Sequence, residues 1–473
     1  MFDPDIAPSG TLLGLLQRGR GDGTLHALAA PRAEALAALH HCVLHDPRHD
    51  WQLENRSLYY ARLHRALDGG LGEIEQHLFG PEDLLDPAEE RTGLALSVLG
   101  HLAGYGREDA LKLLHRYAAS GANWSWALDE LALRADDAAL LSLREPVLAR
   151  FPAGSEGDTA LAAAVRDAYE PRPWRLWGDR ADDTSRAAAR IRAAREQGSF
   201  DRWQRQLRPA GPSPGWSVEE VLDWVQRCFD GHPSQLRYEA AARCLAAVAG
   251  PEDRPRIVDA ALGGPEAARG AALRYLADQQ DPDALDLLDA GASSPSAVVS
   301  EAALRSFERM RSVAALERAR AWAHRTDAVG NAAAGMLACR GGLRDADLVL
   351  AALRRTVRTQ GADAPDLWTL VDGAGRLRIG CAAPVLRHLY RETSSSRLRG
   401  RAARALAATD PSFAAGFAVE CLWDCEETTR ELAARHAAIG DARVVEQLRR
   451  LAADPAEEAE VQTAVRSRIG PED

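Results

Sequence analysis

One pattern of apolar and polar positions returns along the second half of the chain at a nearly constant interval of about 31 residues. The positions that close it are Leu245, Leu276, Phe307 and Leu337 and, after a longer gap, Leu406 and Ala437. Each interval holds an Ala-centred segment, a turn rich in Gly, Asp or Pro, and a second segment with one apolar face. The pattern predicts pairs of helices that stack side by side, an α-solenoid.

The first segment of each interval carries a recognisable run of residues. It reads Tyr-Glu-Ala-Ala-Ala-Arg-Cys-Leu over 238–245 and Arg-Gly-Ala-Ala-Leu-Arg-Tyr-Leu over 269–276. These runs resemble the first helices of HEAT repeats. The resemblance covers about residues 234–455, with a degenerate unit at 370–377, and implies an all-α solenoid of about seven units. A resemblance of this kind implies a fold and little about activity.

The remaining segments divide by composition. Residues 1–150 show helical periodicity with weaker repetition, as in 31–45, 91–103 and 108–119, and we expect diverged units there. Residues 151–231 hold five Trp and several Pro, which predicts an irregular connecting or inserted segment. The HEAT-like region then occupies 232–455, and 456–473 form a C-terminal helix and tail.

An Arg recurs at one slot of the repeat. The residues at this position are Arg243, Arg274, Arg305, Arg404 and Arg435. Glu239, Glu301 and Glu431 precede three of them by four residues, the favourable order for an ion pair along one helix face. We therefore favour structural ion pairs over a row of phosphate contacts.

Charge and composition narrow the function classes. The 473 residues carry a net charge of −11, and Lys112 is the one Lys among 58 basic residues, so the Arg content reflects compositional bias more than nucleic-acid binding. Seven scattered Cys do not form a disulfide framework, and no apolar run approaches the length of a membrane span. We expect a cytoplasmic protein that has no membrane segment and no cofactor.

The densest mixture of unusual residues lies on a predicted loop that enters a helix. Its candidate binding residues are Trp51, Gln52, Glu54, Arg56, Tyr59 and Tyr60. In one interpretation the aromatic residues form a stacking wall and the polar residues contact a partner; in the other, the segment is a capped helix whose Tyr pair belongs to the core. Trp174 and Trp177 are further candidates, because binding energy at protein interfaces concentrates in Trp, Tyr and Arg.

Metal and hydrolase chemistry find little support in the chain. His41 and His45 are one helical turn apart, but the spacing of the neighbouring His40 and His49 is irregular and no second ligand pair is evident. Nucleophile, P-loop and dinucleotide motifs are missing. We expect no metal site.

Basic residues concentrate in and around the degenerate unit, with eight Arg and one Glu over 376–404. Second helices of HEAT repeats usually line the concave face, so the resemblance implies a groove there. The candidates for that groove are Arg354, Arg358, Arg387, Arg391 and Trp423. It would suit an acidic partner or a phosphate backbone. The alternative is charge compensation by acidic helices.

Two classes of function follow. The first is a non-catalytic scaffold or adaptor that binds a protein partner along its concave face, with nucleic acid a less favoured partner. The second is an enzyme on the same solenoid, since Trp368 and Asp372 have the spacing found in HEAT-like alkylpurine DNA glycosylases. That resemblance implies Asp372 as the catalytic carboxylate, Trp368 as a lesion contact, and Arg399 or Arg401 as a phosphate contact.

Overall fold

The computed structural model describes residues 6–48, 52–81, 89–179, 183–207, 215–231 and 237–470. These residues form helices and turns and contain no β-strand, which confirms the predicted all-α class. None of the described helices combines the length and the apolar character that a bilayer span requires.

The chain divides into two compact units that do not follow the segments drawn from composition. Unit 1 comprises Met1–Leu207, Tyr390–Ala403 and Pro411–Asp473, so it combines the first part of the chain with the last. Unit 2 comprises Arg208–Leu389 and Arg404–Asp410.

The helices that precede the HEAT-like region are α1 (Leu12–Gln17), α2 (Gly21–Ala29), α3 (Arg32–Leu44), α4 (Ser57–Ala66), α5 (Gly72–Leu78), α6 (Glu89–Gly104), α7 (Glu108–Ser120), α8 (Trp124–Ala132), α9 (Asp137–Ser142), α10 (Arg144–Leu148), α11 (Ser155–Asp167), α12 (Arg172–Gly178), α13 (Arg186–Leu207) and α14 (Val218–Gly231). The predicted helices at 31–45, 91–103 and 108–119 therefore exist, with ends shifted by one or two residues.

The HEAT-like region and the C-terminus contain α15 (Tyr238–Val248), α16 (Arg254–Gly263), α17 (Glu266–Asp278), α18 (Ala284–Ala292), α19 (Ala297–Arg309), α20 (Val313–Trp322), α21 (Ala328–Arg340), α22 (Ala346–Gln360), α23 (Leu367–Arg376), α24 (Ala383–Glu392), α25 (Ser396–Thr409), α26 (Phe417–Cys421), α27 (Glu427–His436), α28 (Ala442–Ala453) and α29 (Ala459–Ile469). A helix stands at each predicted first and second position. Their relation as HEAT repeats stays a prediction.

The prediction of an irregular segment over 151–231 is wrong for its described part, which is largely helical. Four helices, α11 to α14, lie there. Pro173 does not break α12 because it stands in the first turn, where a missing backbone N–H leaves no helical hydrogen bond unmade. The Pro-rich stretch at 208–214 lies outside the described residues.

Small residues at the centres of the first helices set the helix spacing in unit 2. A Cβ on Gly373 of α23 would lie 2.4 Å from the Cβ of Ala338 on α21 and 2.6 Å from its Cα. Only a residue without a side chain allows the two backbones to come this close. The Ala-rich segments thus serve the close helix contacts that the sequence predicts.

Many Arg side chains close the carbonyl ends of neighbouring helices. Arg376 donates to the carbonyls of Leu337, Ala338 and Gly341 at 2.8–3.2 Å, at the end of α21. In unit 1, Arg468 donates to the carbonyl of Ala437 at 2.8 Å. The last carbonyls of a helix have no partner within it, and a guanidinium can bond several at once. Part of the Arg content is therefore structural.

The recurrent Arg slot forms the predicted ion pair at two of its three predicted positions, since Glu239 lies 3.8 Å from Arg274 and not beside Arg243. Arg305 pairs with Glu301 at 2.7 Å, and Arg435 pairs with Glu431. Both are the predicted pairs along one helix face. Arg274 differs, because it is almost fully buried and its Nε donates to Asp278 at 2.7 Å.

Candidate binding site

Polar contacts join the first helices of unit 1 to its C-terminal helices. Arg20 Nε donates to Glu420 at 2.9 Å, and Arg62 Nε donates to Asp454 at 2.8 Å. Gly19 makes the approach possible, because its φ of +66° is in the left-handed region and a Cβ there would lie 2.4 Å from Cys425 Sγ. The two ends of the chain thus build one site within this unit.

Arg399 stands at the centre of this junction with no exposed surface. Its guanidinium bonds both carboxylate oxygens of Asp424, at 2.8 and 3.1 Å, and donates to the carbonyl of Arg18 at 2.7 Å. The assignment of Arg399 to a phosphate contact is therefore wrong, since its donors are used inside the fold. The bidentate geometry is the strong form of such a pair.

Glu54 caps a helix from a distant part of the chain. Its carboxylate accepts from the backbone N–H and the hydroxyl of Ser396 at 2.7 and 2.9 Å, and from the hydroxyl of Ser395. Although burial alone would raise the pKa of Glu54, the bonds from Ser395 and Ser396 hold it below its usual value. Glu54 is thus an anion at the N-terminus of α25, where the helix dipole favours one.

We expect Glu54→Gln to destabilise the start of α25 by about 1–2 kcal/mol, because a neutral amide gives weaker bonds to the same donors. The measurement is hydrogen exchange at the amides of 396–398. Glu108→Gln is the matched control, since Glu108 is an exposed first-turn residue of α7. Equal protection of α25 in both variants would contradict this role for Glu54.

Arg56 does not form the predicted surface contact, because it is fully buried. Its Nη2 donates to the carbonyl of Ser394 at 2.8 Å, while Nε and Nη1 have no hydrogen-bond partner among the described residues. Gln52 is exposed beside it. Trp51 lies outside the described residues.

The two tyrosines belong to the core, which corrects their assignment to a stacking wall. Tyr59 and Tyr60 are 5% and 1% exposed, and their rings meet edge to face. Their hydroxyls donate to the carbonyls of Arg20 and Leu16 at 2.8 and 3.1 Å. Burial raises the pKa of both phenols. The edge of Tyr59 still reaches the cavity described below.

The Trp pair of α12 is also buried, so its assignment to an interface hot spot is wrong. Trp174 and Trp177 are 2% and 0% exposed and pack edge to face. Trp177 Nε1 donates to the carbonyl of Leu140 at 2.8 Å, and Trp124 packs on Trp174. A buried Trp with a satisfied N–H is a core residue.

The predicted groove Arg residues differ in their contacts. In unit 2, Arg354 and Arg358 are exposed, and Arg387 pairs with Asp410 at 2.6 Å. In unit 1, Arg391 is exposed and lies over the ring of Phe417. The partner of Arg387 is a single Asp in the turn after α25 and not part of an acidic helix, so both interpretations of the basic stretch stay predictions.

The remaining residues of the glycosylase-type interpretation lie on or beside helices of the HEAT-like region. Trp368 is half-buried and Asp372 is exposed on α23, one turn apart, while Arg401 is half-buried on α25. Nothing in these positions adds to the spacing from which that interpretation started.

A surface cavity of about 480 Å³ lies where α2 and α4 meet the C-terminal helices of unit 1. Its apolar lining includes Leu28, which is 44% exposed, and Trp423, which is half-buried in the turn before α27. Leu63, Leu422 and Leu451 complete the apolar part. Of the predicted candidates, Tyr59 and Trp423 lie here together.

Four Arg and two Asp side chains contribute charge to the lining of this cavity. Asp424 is held by Arg399, and Asp454 accepts from Arg62 and from the hydroxyl of Tyr105 at 3.0 Å. Arg430 forms a buried bidentate pair with Glu457 at 2.7 and 2.9 Å.

Two cations remain on the rim. Arg450 is exposed and pairs with Glu446 at 3.1 Å, and the exposed Arg65 lies 4.8 Å from the ring centroid of Tyr105. Arg65 has no ion pair in the described part of the chain. The rim therefore carries one cation without an ion pair among the described residues, Arg65, over an apolar floor.

The sequence contains one signal for this cavity, a stripe of residues along α4. One face of α4 is formed by four residues at helical spacing, Tyr59, Arg62, Leu63 and Ala66. That face lines the cavity. A stripe that mixes apolar residues with Arg is typical of a partly solvated contact surface.

Metal-ligating clusters are not a feature of the described residues, among which no three His, Cys, Asp or Glu side chains are placed to hold an ion together. His41 and His45 lie with ring centroids 5.4 Å apart.

Comparison with known proteins adds no assignment. Neither the protein-family models nor the curated proteins with which the chain was compared include a match to it. The function of the site therefore has to be argued from its own geometry.

Proposed function

We propose that this chain is a non-catalytic binding protein made of HEAT-like helical pairs. It holds a protein partner at the cavity of unit 1. The partner segment places an apolar side chain on the floor and an acidic side chain against the rim. The observation that carries the proposal is one cavity that combines exposed Leu28, half-buried Trp423 and Arg65, a cation without an ion pair among the described residues.

The apolar part of the cavity accounts for affinity. Its volume is within the range of small binding pockets, so one side chain of a partner can enter it. Trp and Arg are the residue types most often found where interface energy concentrates. Leu28, left 44% exposed beside Trp423, gains from being covered by a partner.

The rim accounts for the sign of the partner's charge. Both Asp residues of the lining are already paired, whereas Arg65 lies over the ring of Tyr105 and has no ion pair in the described part of the chain. An approaching carboxylate would meet a cation that loses no ion pair in the exchange. Acidic segments are therefore favoured over basic ones.

The ionisable groups around the cavity support binding more than catalysis. Asp424, Asp454 and Arg430 are committed to ion pairs. Burial raises the pKa of the nearby Cys425 thiol to about 11, so the thiol is protonated at neutral pH. A general base or nucleophile needs a pKa close to the working pH.

The HEAT-like architecture is part of the same proposal. Its support is the order of the helices from α15 to α28, in which each Ala-centred first helix is followed by a second one. The close contact of α21 and α23 at Gly373 is of the kind that stacked repeats require.

We expect random peptides selected on the full chain to combine an aromatic or aliphatic residue with Asp or Glu. Leu28→Asp with Trp423→Ala should weaken the selected peptides by about tenfold or more, since truncation of one interface hot spot typically costs that much. Arg65→Glu should weaken acidic peptides selectively. Fluorescence anisotropy with labelled peptides provides the measurement.

The matched control is Leu343→Asp, because Leu343 is 79% exposed in unit 2. It should leave the affinity unchanged. Selected peptides that bind the Leu28 and Trp423 variant as well as the unaltered chain would contradict the proposal, and so would a selection that enriches no peptide.

A further inference from the structure

A second cavity, of about 460 Å³, lies in unit 2 at the C-terminal ends of α17, α19 and α21. The last residues of these helices are Asp278, Arg309 and Arg340, at equal intervals along the chain. Each lines the cavity, together with Gln280 and Arg311. The spacing of the first helices thus brings the last residue of three of them, α17, α19 and α21, to one cavity.

The cavity carries an excess of positive charge. Three guanidinium groups line it against one carboxylate, that of Asp278. That carboxylate is engaged, because Arg274 Nε donates to it at 2.7 Å. The local charge is therefore cationic and is not neutralised from within the cavity.

Two of the three Arg residues are unused. Arg340 donates to the carbonyl of Met310 and so serves the end of α19. Arg309 and Arg311 are exposed and have neither a hydrogen bond nor an ion pair to any residue that the structure describes.

Some exposed Arg residues of unit 2 are paired, whereas others, such as Arg243 and Arg404, have no partner among the described residues. Arg254 pairs with Asp281 at 2.7 Å and Arg305 pairs with Glu301 at 2.7 Å. Attraction to the carbonyl end of α19 accounts for a cation at Arg309. It does not account for a third guanidinium at Arg311, which lies beyond the helix end.

We propose that this cavity binds a small anion that carries two or more phosphate groups. A guanidinium bonds phosphate oxygens through two parallel N–H groups, and three of them in one cavity match several phosphate oxygens better than one carboxylate. The volume is that of a small-molecule site. The Gln280 amide can add a further donor.

The grouping of three Arg residues around one cavity favours a compact anion over a nucleic acid. A phosphate backbone is bound by cations spread along a surface track, since it carries a charge at every step of its length. Here the three guanidiniums converge on one cavity at helix ends. A diphosphate or polyphosphate group satisfies such convergence.

Inorganic pyrophosphate is the probe, titrated calorimetrically into the full chain at low salt. We expect one site in the micromolar range and a rise in melting temperature with added pyrophosphate. Arg309→Gln with Arg311→Gln should weaken binding by at least about tenfold, as expected for loss of charge-assisted bonds. Arg305→Gln is the matched control, an exposed Arg of the same helix, and should bind normally.

Gln280→Glu provides a second variant that leaves all three Arg residues in place. It puts a carboxylate in the cavity and should weaken pyrophosphate about tenfold, whereas circular dichroism should be unchanged. No measurable binding, or equal binding by the double Arg variant, would overturn the proposal. Equal affinity for citrate would overturn the assignment to phosphate. Binding of duplex DNA in the absence of pyrophosphate binding would overturn the preference for a compact anion over a nucleic acid. Failure of the peptide site in unit 1 leaves this test unaffected.

Discussion

Replacing Arg399 with Met is expected to lower the free energy of unfolding of unit 1 by about 3–5 kcal/mol. The change leaves the Asp424 carboxylate buried without its bidentate partner and frees the carbonyl of Arg18. An uncompensated buried charge costs far more than the pair contributes. The measurement is chemical denaturation, followed by hydrogen exchange in peptides that cover 14–20 and 398–403.

The control for this prediction is Arg435→Gln. Arg435 forms the exposed pair with Glu431 in the same unit, and loss of an exposed pair costs less than about 1 kcal/mol. A second variant, Arg399→Met with Asp424→Leu, removes both charges and should recover most of the stability. If Arg399→Met and Arg435→Gln lowered stability equally, the Arg399–Asp424 pair would not be the centre of the junction.

The helices could be predicted because their pattern is local. An apolar stripe at helical spacing, a turn residue and an Ala-rich centre each lie within a few residues of one another, as in 266–278 and 297–309. Pro173 shows that the effect of a proline depends on its position in the helix. Its missing N–H matters inside a helix and not in the first turn, where the structure places it.

The junction of the chain ends could not be predicted from that pattern. Glu54 caps α25, and Arg20 pairs with Glu420, across several hundred residues of sequence. No period links such positions, and a cap supplied from elsewhere leaves no mark on the helix that it serves. The cavity of unit 1 exists only because these segments meet, so its location was equally hidden.

Residue type alone does not distinguish a binding surface from the core. Trp, Tyr and Arg concentrate at interfaces, but the same residues are suited to a core that offers hydrogen-bond acceptors. Trp177 and Tyr60 each donate to a backbone carbonyl, and Arg399 pairs with a buried carboxylate. Whether such a residue belongs to an interface or to the core depends on its burial and its hydrogen-bond partners. Neither can be read from the sequence. Trp423 differs from these residues because it stands in a turn that leaves it half-buried at the cavity.

Two histidines of unit 1, the buried His64 and the half-buried His101, are expected to contribute a loss of stability as the pH falls from about 6.5 to about 4. Burial, with His40 and Arg107 nearby, lowers the pKa of His64 to about 4, and burial, with Arg134 and Arg62 nearby, lowers that of His101 to about 4. The unfolded chain therefore binds more protons than the folded one between these values. The contribution of each His is fully present above pH 6.5 and disappears towards pH 4, and it amounts to about 3 kcal/mol per His.

Two carboxyl groups of the same unit act in the opposite direction. Burial raises the pKa of Asp129 to about 6 and that of Glu420 to about 7, so their protonation favours the folded state at low pH. The histidine contribution therefore has to be isolated by substitution. His64→Gln keeps a donor for the carbonyl of Gly70, which His64 Nε2 contacts at 3.3 Å, but removes the titration.

Relative to its value at pH 7, the denaturation midpoint at pH 4 should be higher in His64→Gln than in the unaltered chain, and highest in the double variant His64→Gln with His101→Gln. His26→Gln is the control, because His26 is exposed on α2 and should leave the profile unchanged. A profile that keeps its full slope in the double variant would place the acid sensitivity elsewhere. The expected difference would show that the neutral imidazoles of His64 on α4 and His101 on α6 make unit 1 sensitive to acid.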